Sequence, residues 1–403
     1  MTRSIFCILT SGYIRETPYG EERFALSLGR WLLKQNQDVV IIGRTFTGVK
    51  VEYLSKVETD QNKKNNVKKL RVVYPPYVIY MLSRLFFSLL CFIKILFINK
   101  KSPIKLIHAQ DPGYSGLAAV MAGKIVKIPV ILSSHGIRHK TLEPILKGRL
   151  GRILLKVEYN LEIFTLKNAD SIIAVNPEIK DYLQKITGKT VKFIPNSIKL
   201  ENFVFTQTNR DLIRKELRVD EQTIVVGFIG RLSPEKNLVT LLNSFVKAIR
   251  YHPSMKLVMV GTGQLDLHLR EEVGRLNVED KVIFCGMRND ISRVLSGFDI
   301  FVLPSYTEGL SSALLEAMAC ERAVICSDIP ANRILITHKR EGLLINPHKY
   351  EELSEAIQLL ANDESLRSQL GRNSKIKAGE YDEDVVYSKI LQHYFTLTQG
   401  EAN

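Results

Sequence analysis

What most restricts this chain is the alternation of short, near-continuous apolar runs with helix-length segments. In the first half the runs are SIFCILT, DVVIIG, LIHAQ, PVILSSHG, SIIAV and VKFIP. In the second they are TIVVGFIG, KLVMVG, KVIFCG, IFVLPS, AVICSD and GLLIN. Strands that are apolar at successive positions are buried on both faces, as in parallel sheets covered by helices on each side. The pattern occurs twice, separated by the polar, weakly patterned stretch PNSIKLENFVFTQTNRDLIRKEL. It predicts an α/β protein of two Rossmann-like, doubly wound domains facing each other across a cleft. The 403 residues are too many for one core. The expected division is 1–203, 204–381 and a C-terminal helical segment, 382–403.

Five cysteines, odd in number and without a C-x-x-C pair, speak against a disulfide frame and a structural zinc site. The opening SIFCILTSG reads as a first buried strand, not a signal peptide, so a cytoplasmic protein is expected. The net charge of +14 is unevenly spread. Residues 1–200 hold 32 Lys and Arg against 14 Asp and Glu, and residues 201–403 hold 24 against 28. The basic half is therefore the one that meets an acidic surface, either nucleic acid or an anionic membrane.

Tyr77 to Ile98, YVIYMLSRLFFSLLCFIKILFI, is long enough to span a bilayer but is interrupted by Arg84 and Lys94. On a helix, Arg84, Ser88, Ser83 and Lys94 share one sector. Met81, Leu82, Leu85, Phe86, Leu89, Phe92, Ile93 and Leu96 fill the opposite side. Lys63, Lys64, Lys68, Lys69 and Arg71 precede the segment, and Lys100, Lys101 and Lys105 follow it. An apolar face with basic borders suits a helix lying in an anionic interface; a buried helix covering the sheet and a true span are the alternatives.

The stretch SYTEGLSSALLEAMAC reads as a loop entering a helix after the strand that ends at Leu303. Pro304 blocks extension of that strand, Gly309 permits a tight turn, and Ser311 or Ser312 can cap the helix. The helix start is suited to an anion such as a phosphate. A carboxylate on the preceding loop, Glu308, would instead accept hydrogen bonds from hydroxyls, and Glu316 lies further along. A fully helical interval would separate the two by about 12 Å. Paired glycosidase carboxylates stand only ~5–9.5 Å apart. The spacing fits the two ends of a nucleotide sugar, hexose at one and ribose at the other. Alone it is a weak signal, with a loop charge and a helix-surface residue as the plain alternatives.

GFIGRLSPEKNLVTLLNSF supplies the context. It places Gly230, Arg231 and Lys236 on another strand–loop–helix junction, aiming two cations at the same mouth. Arg can grip two phosphate oxygens and Lys can neutralise a further charge, whereas the plain alternative is a loop capped by Ser233. His135, in SSHGIRHK, follows a strand end and precedes a glycine, so it should open into the cleft. His139 is its neighbour or a basic loop residue.

These motifs resemble the retaining nucleotide-sugar glycosyltransferases of family 4, with the GT-B fold. GRLSPEKN and EGLSSALLEAMAC carry most of the resemblance. LIHAQD, IPVILSSHG, ADSIIAVNP, VKFIPNS, VGTGQL and VIFCGMRNDI support it across nearly the whole chain. The resemblance implies that Glu308 holds hydroxyls of the donor sugar and Glu316 those of the ribose. Arg231 and Lys236 would take the diphosphate. Backbone N–H groups of Gly309, Leu310, Ser311 and Ser312 would contact sugar and phosphate. The loop Cys285–Arg288, with Met287, would border the base. Gly20 would approach the donor phosphate, and His135 would face the transferred sugar. The C-terminal helix would cross back onto the first domain.

The chain departs from relatives at three places: Tyr19-Gly20 stands for a glycine pair, Glu321-Arg322-Ala323 for Gly-x-Pro, and Ile329–Asn332 reads IPAN where a glycine-rich turn is usual. The implied reaction is transfer of a sugar from a nucleotide diphosphate donor, UDP ahead of GDP, with retention by front-face attack. No metal or other cofactor is required, since the acidic run Asp382-Glu383-Asp384 reads as a solvated helix start. The basic first half and the 77–98 helix suggest a glycan or lipid-linked acceptor at the inner face of the cell membrane, held by a peripheral enzyme. Rival readings are a nucleotide-sugar epimerase, a non-catalytic nucleotide-sugar-binding subunit and a nucleic-acid-binding protein. The last lacks interleaved aromatics or a recognition motif.

Overall fold

A computed structural model gives the structure, and residues 5–13, 21–44, 49–54, 77–137, 142–143, 146 and 148–399 are described. The chain divides into two compact units, Met1–Pro195 with Val386–Asn403, and Asn196–Val385. The division falls ahead of the expected 203/204 boundary. The reason is local: Ile198 and Phe203 join the core of the second unit, and Ile198 bridges to Asp382.

The first unit is built on β1 (Ile5–Tyr13), β2 (Val39–Arg44), β3 (Val49–Leu54), β4 (Ile104–Ala109), β5 (Val130–Ser134), β6 (Ser171–Ala174) and β7 (Val191–Phe193). The order is β3-β2-β1-β4-β5-β6-β7, parallel except for β3 on β2. Alternation along β1 shows why its sequence is apolar throughout. Cys7 and Leu9 join the core on one face, Phe6 and Ile8 the core on the other. β3 lies outside the apolar runs; VKVEYL alternates polar and apolar residues, as an edge strand can, and lacks the continuous apolar run.

The second unit carries β8 (Ile224–Ile229), β9 (Met255–Val260), β10 (Val282–Gly286), β11 (Ile300–Leu303), β12 (Ala323–Ser327) and β13 (Leu343–Ile345). All pair in parallel in the order β10-β9-β8-β11-β12-β13. The order reverses direction between β8 and β11, the switch point at which such sheets bind ligands beyond the strands' carboxyl ends. Both sheets are thus Rossmann-like, as the apolar runs predicted.

The helix Glu383–Gln399 starts in the second unit, at the acidic run, and buries Val386, Tyr387, Ile390 and Tyr394 in the first. Tyr394 packs on Phe6 with ring centroids 5.0 Å apart, and Tyr387 on Trp31 at 5.9 Å.

The helix Tyr77–Lys101 gives Phe87, Cys91, Ile95 and Ile98 to the sheet-facing core. Its Met81–Lys101 portion is long and apolar enough to cross a membrane, but one side is committed to that core, so lipid cannot surround it. Of the polar sector, Ser88 is buried and the Arg84 guanidinium lies over the Tyr114 ring at 5.9 Å, whereas Lys94 is exposed. Leu82, Leu85, Phe86, Leu89 and Ile93 face outward, whereas Met81, expected with them, is buried.

Candidate active site

The second unit brings its two distinctive loops together at the carboxyl ends of β8 and β11. After β8 the chain runs through Gly230 and the exposed Arg231 into a short 3-10 turn, Pro234–Lys236. Asn237 then takes a left-handed conformation and its amide donates to Pro347 O at 2.7 Å, fixing where the next helix begins. After β11, Pro304 and Ser305 are buried and the loop reaches Glu308. Lys236 Nζ donates to Glu308 Oε1 at 2.6 Å, and Ser305 Oγ donates to the same oxygen at 2.6 Å. The Tyr306 N–H donates to Glu235 O at 2.9 Å, so the loops are joined through backbone as well. The Lys236 and Glu308 side chains are 18% and 9% exposed, enough burial for the pair to escape most solvent screening.

Ser311, not Ser312, is the cap of the helix Ser312–Ala319: its hydroxyl accepts from the Leu314 N–H at 3.3 Å. First-turn N–H groups lack intrahelical partners and so present partial positive charge beside Glu308 and Lys236. Leu310 is buried, and its carbonyl accepts from the Asn196 amide at 3.3 Å. Glu316 lies within this helix and is buried, not on the helix surface. Ser233 does not cap the 3-10 turn; its hydroxyl donates to Glu235 Oε1 at 2.6 Å.

Glycines close the floor. Gly230 N donates to Val260 O at 3.0 Å, and Gly261 N to Gly286 O at 2.7 Å, so the ends of β8, β9 and β10 are laced together. Gly261 has φ +132, and a Cβ there would stand 1.8 Å from Gly230 O. Met287, just beyond β10, is exposed, and Arg288 is held between Glu216 and Asp290, whose carboxylates push its pKa up. Cys285 is half-buried and its thiol is raised by desolvation, which argues against a nucleophile. Among the described residues no group of His, Cys, Asp and Glu gathers to hold a metal ion.

In the first unit, His135 follows β5 and is half-buried. Its Nε2 lies 3.2 Å from Gln110 Oε1, and Phe24 meets its ring edge-on at 5.5 Å. Behind it, His108 is buried with Nδ1 at 2.6 Å from Tyr394 Oη and Nε2 at 2.7 Å from Ser133 Oγ. Gly20, Tyr19 and His139 lie outside the described residues.

Two family models match the chain, "Glycosyltransferase Family 4" over residues 19–202 and "Glycosyl transferases group 1" over residues 209–377. The protein belongs to the family 4 glycosyltransferases. This glycosyltransferase is 28% identical over 280 residues to the UDP-Gal:alpha-D-GlcNAc-diphosphoundecaprenol alpha-1,3-galactosyltransferase of Escherichia coli, covering 66% of this chain and 69% of that one. It is also 28% identical over 337 residues to the N,N'-diacetylbacillosaminyl-diphospho-undecaprenol alpha-1,3-N-acetylgalactosaminyltransferase of Campylobacter jejuni, covering 81% and 87%. Among solved structures, sucrose-phosphate synthase of Thermosynechococcus elongatus shares the fold with a TM-score of 0.79 at 19% identity, covering 98% of this chain and 100% of that one. Anabaena HepE in complex with UDP shares it with a TM-score of 0.73 at 18% identity, covering 98% and 100%. The fold is GT-B, and the enzyme transfers a sugar from a nucleotide diphosphate sugar.

Two departures from the family pattern now have a local account. Glu321, where relatives carry glycine, has φ +63, a conformation glycine adopts without steric cost. Its carboxylate meets Lys375 Nζ at 3.0 Å. IPAN forms a short helix, Pro330–Arg333, in which proline at the first position replaces glycine as the turn-maker. Residues that the motifs did not single out are Ser305, Asn196 and Gln110. Each sits inside or beside a quoted motif, but its role is a long-range hydrogen bond that one sequence does not encode.

Proposed function

We propose that this glycosyltransferase takes a UDP-sugar and passes the sugar, with retention, to a lipid-linked glycan at the cytoplasmic face of a membrane. The assembly of a surface polysaccharide or glycolipid is the process it would serve. The observation that carries the reading is the Lys236–Glu308 contact of 2.6 Å, a cation and a carboxylate converging at the switch point of a Rossmann-like sheet. UDP is supported by the HepE complexes with UDP and UDP-glucose and by the donor named for the E. coli relative. The diphosphoundecaprenol acceptors named for two relatives support the membrane-held acceptor, as does the outward apolar side of the helix Tyr77–Lys101.

In this reading Glu308 orients hydroxyls of the sugar, with Ser305 holding the carboxylate. Arg231, Lys236 and the first-turn N–H groups at Gly309 to Ser312 take the diphosphate. Gly230 lets the backbone come close to it, Glu316 takes ribose hydroxyls and Met287 borders the base. His135, oriented by Gln110, faces the transferred sugar. The acceptor hydroxyl bonds to the anomeric carbon on the face from which the β-phosphate oxygen departs. That oxygen leaves with the bonding electron pair and takes the acceptor proton. Lys236 and Arg231 act by stabilising the charge that develops there.

The test is a panel of nucleotide sugars, assayed for nucleotide release with and without bacterial membrane lipid extract. Release from a UDP-sugar that depends on the lipid supports the reading, and a labelled lipid product shows the transfer. Conversion of the donor to its epimer without any acceptor would favour the isomerase reading instead.

A further inference from the structure

Three helices of the first unit lie on one face of its sheet: Tyr77–Lys101, Tyr114–Val126 and Gly148–Asn168 all contribute to the same core cluster. They are joined to one another by polar contacts. Arg84 of the first lies over the ring of Tyr114 of the second at 5.9 Å, and Tyr114 Oη donates to Glu158 Oε1 of the third at 2.8 Å. Lys124 of the second hydrogen-bonds Asn168 of the third. The three therefore present one continuous outer surface.

That surface is apolar well beyond the first helix. Met121 and Ile125 stand out from the second helix, and Leu150, Ile153, Val157 and Phe164 from the third. Leu150 and Ile153 are 60% and 61% exposed, as much as Leu82 at 60%. Charge is distributed with the same bias. Every exposed charged side chain on the three helices is a lysine or arginine, among them Lys94, Lys101, Lys124, Arg149, Arg152 and Lys156. The only carboxylates, Glu158 and Glu162, are each 1% exposed.

We infer that the three helices form a single docking face for an anionic phospholipid bilayer, with Gly148–Asn168 inserting its Leu150–Ile153–Val157 ridge beside the first helix. This extends the membrane-held acceptor reading and rests on it. Apolar side chains rimmed by cations match an interface of acyl chains below anionic headgroups. A second copy of the chain fits poorly, because a symmetric contact through this face would set its cations against themselves.

The experiment is co-sedimentation of the full-length protein with vesicles of phosphatidylcholine alone and of phosphatidylcholine with phosphatidylglycerol. Leu150→Ser/Ile153→Ser/Val157→Ser and Leu85→Ser/Phe86→Ser/Leu89→Ser are compared with the wild type, with thermal unfolding verifying that each is folded. The prediction is binding to the anionic vesicles only, weakened about tenfold or more by either triple change. Arg149→Gln/Arg152→Gln/Lys156→Gln should weaken it similarly. Wild-type binding that survives the change on the third helix and is lost only with the first would overturn the three-helix face while leaving membrane docking intact. No wild-type binding to either vesicle would remove the membrane reading itself. A wild-type dimer in sedimentation velocity, dissociated by these variants, would assign the face to protein contact instead.

Discussion

Lys236 Nζ and Glu308 Oε1, 72 residues apart in sequence, meet at 2.6 Å and tie the loop after β8 to the loop after β11. The contact holds the two loops in register, and in the proposed function it sets opposite charges against the donor's sugar and diphosphate. Removing one partner strands the other: for a fully buried pair this costs about 3–5 kcal/mol, and less for a pair that retains some solvent contact. Lys236→Ala should therefore lower stability, and adding Glu308→Gln should recover part of the loss. Urea unfolding of the single and double variants reads this coupling; strictly additive losses would mean that the two side chains do not support each other.

Ser305 is buried and spends its hydroxyl on Glu308 Oε1. Ser305→Ala should remove about 1 kcal/mol of orientation from the carboxylate, raising KM for the donor several-fold while the unfolding midpoint stays near wild type. Steady-state kinetics at varied donor concentration measures it. An unchanged KM would show that Lys236 alone holds Glu308.

Gly261 admits no side chain, with a Cβ position 1.8 Å from Gly230 O and φ +132. Gly261→Ala must push β8 and β9 apart at the site's floor. It should cost about 4 kcal/mol or more, seen as a large fall in Tm or in soluble yield. A variant as stable as wild type would contradict the backbone geometry.

Two buried histidines make the first unit acid-sensitive. Burial lowers His108 to about 3, helped by His135 and His393, and lowers His393 to about 4, helped by Lys192. In the unfolded chain both protonate near the ordinary value of about 6.5. Between those values the unfolded state binds more protons, so the stabilisation is complete above about pH 6.5 and is lost as pH falls toward the folded values. Each histidine should contribute a slope of up to about 1.4 kcal/mol per pH unit. Urea midpoints between about pH 7.5 and 5.5 should fall, and His393→Gln should flatten the dependence. An equal slope in that variant would exclude His393 as a source.

Much of this was legible in the sequence. Every quoted apolar run became a strand, because strands buried on both faces leave a continuous signature. GRLSPEKN and SYTEGLSS read correctly as strand–loop–helix junctions because Pro304, Ser311 and Asn237 have strong local preferences. What escaped depends on distance or direction. β3 is an edge strand with a weaker pattern. The helix Tyr77–Lys101 shows a polar and an apolar side in sequence, but the side that meets the sheet, Phe87, Cys91, Ile95 and Ile98, is fixed by tertiary packing. Ser305 on Glu308, and Tyr394 on His108 across 286 residues, are tertiary contacts with no local trace.

In the proposed mechanism Lys236 stabilises charge on the departing diphosphate. This role is tested most directly by measuring donor Kd by calorimetry and kcat at saturating donor for wild type and Lys236→Ala. For Lys236→Ala, kcat should be lower by about 10²–10³ with Kd changed only several-fold, as expected for a group acting in the transition state. A large rise in Kd with kcat restored at saturation would contradict it and make Lys236 a binding residue only.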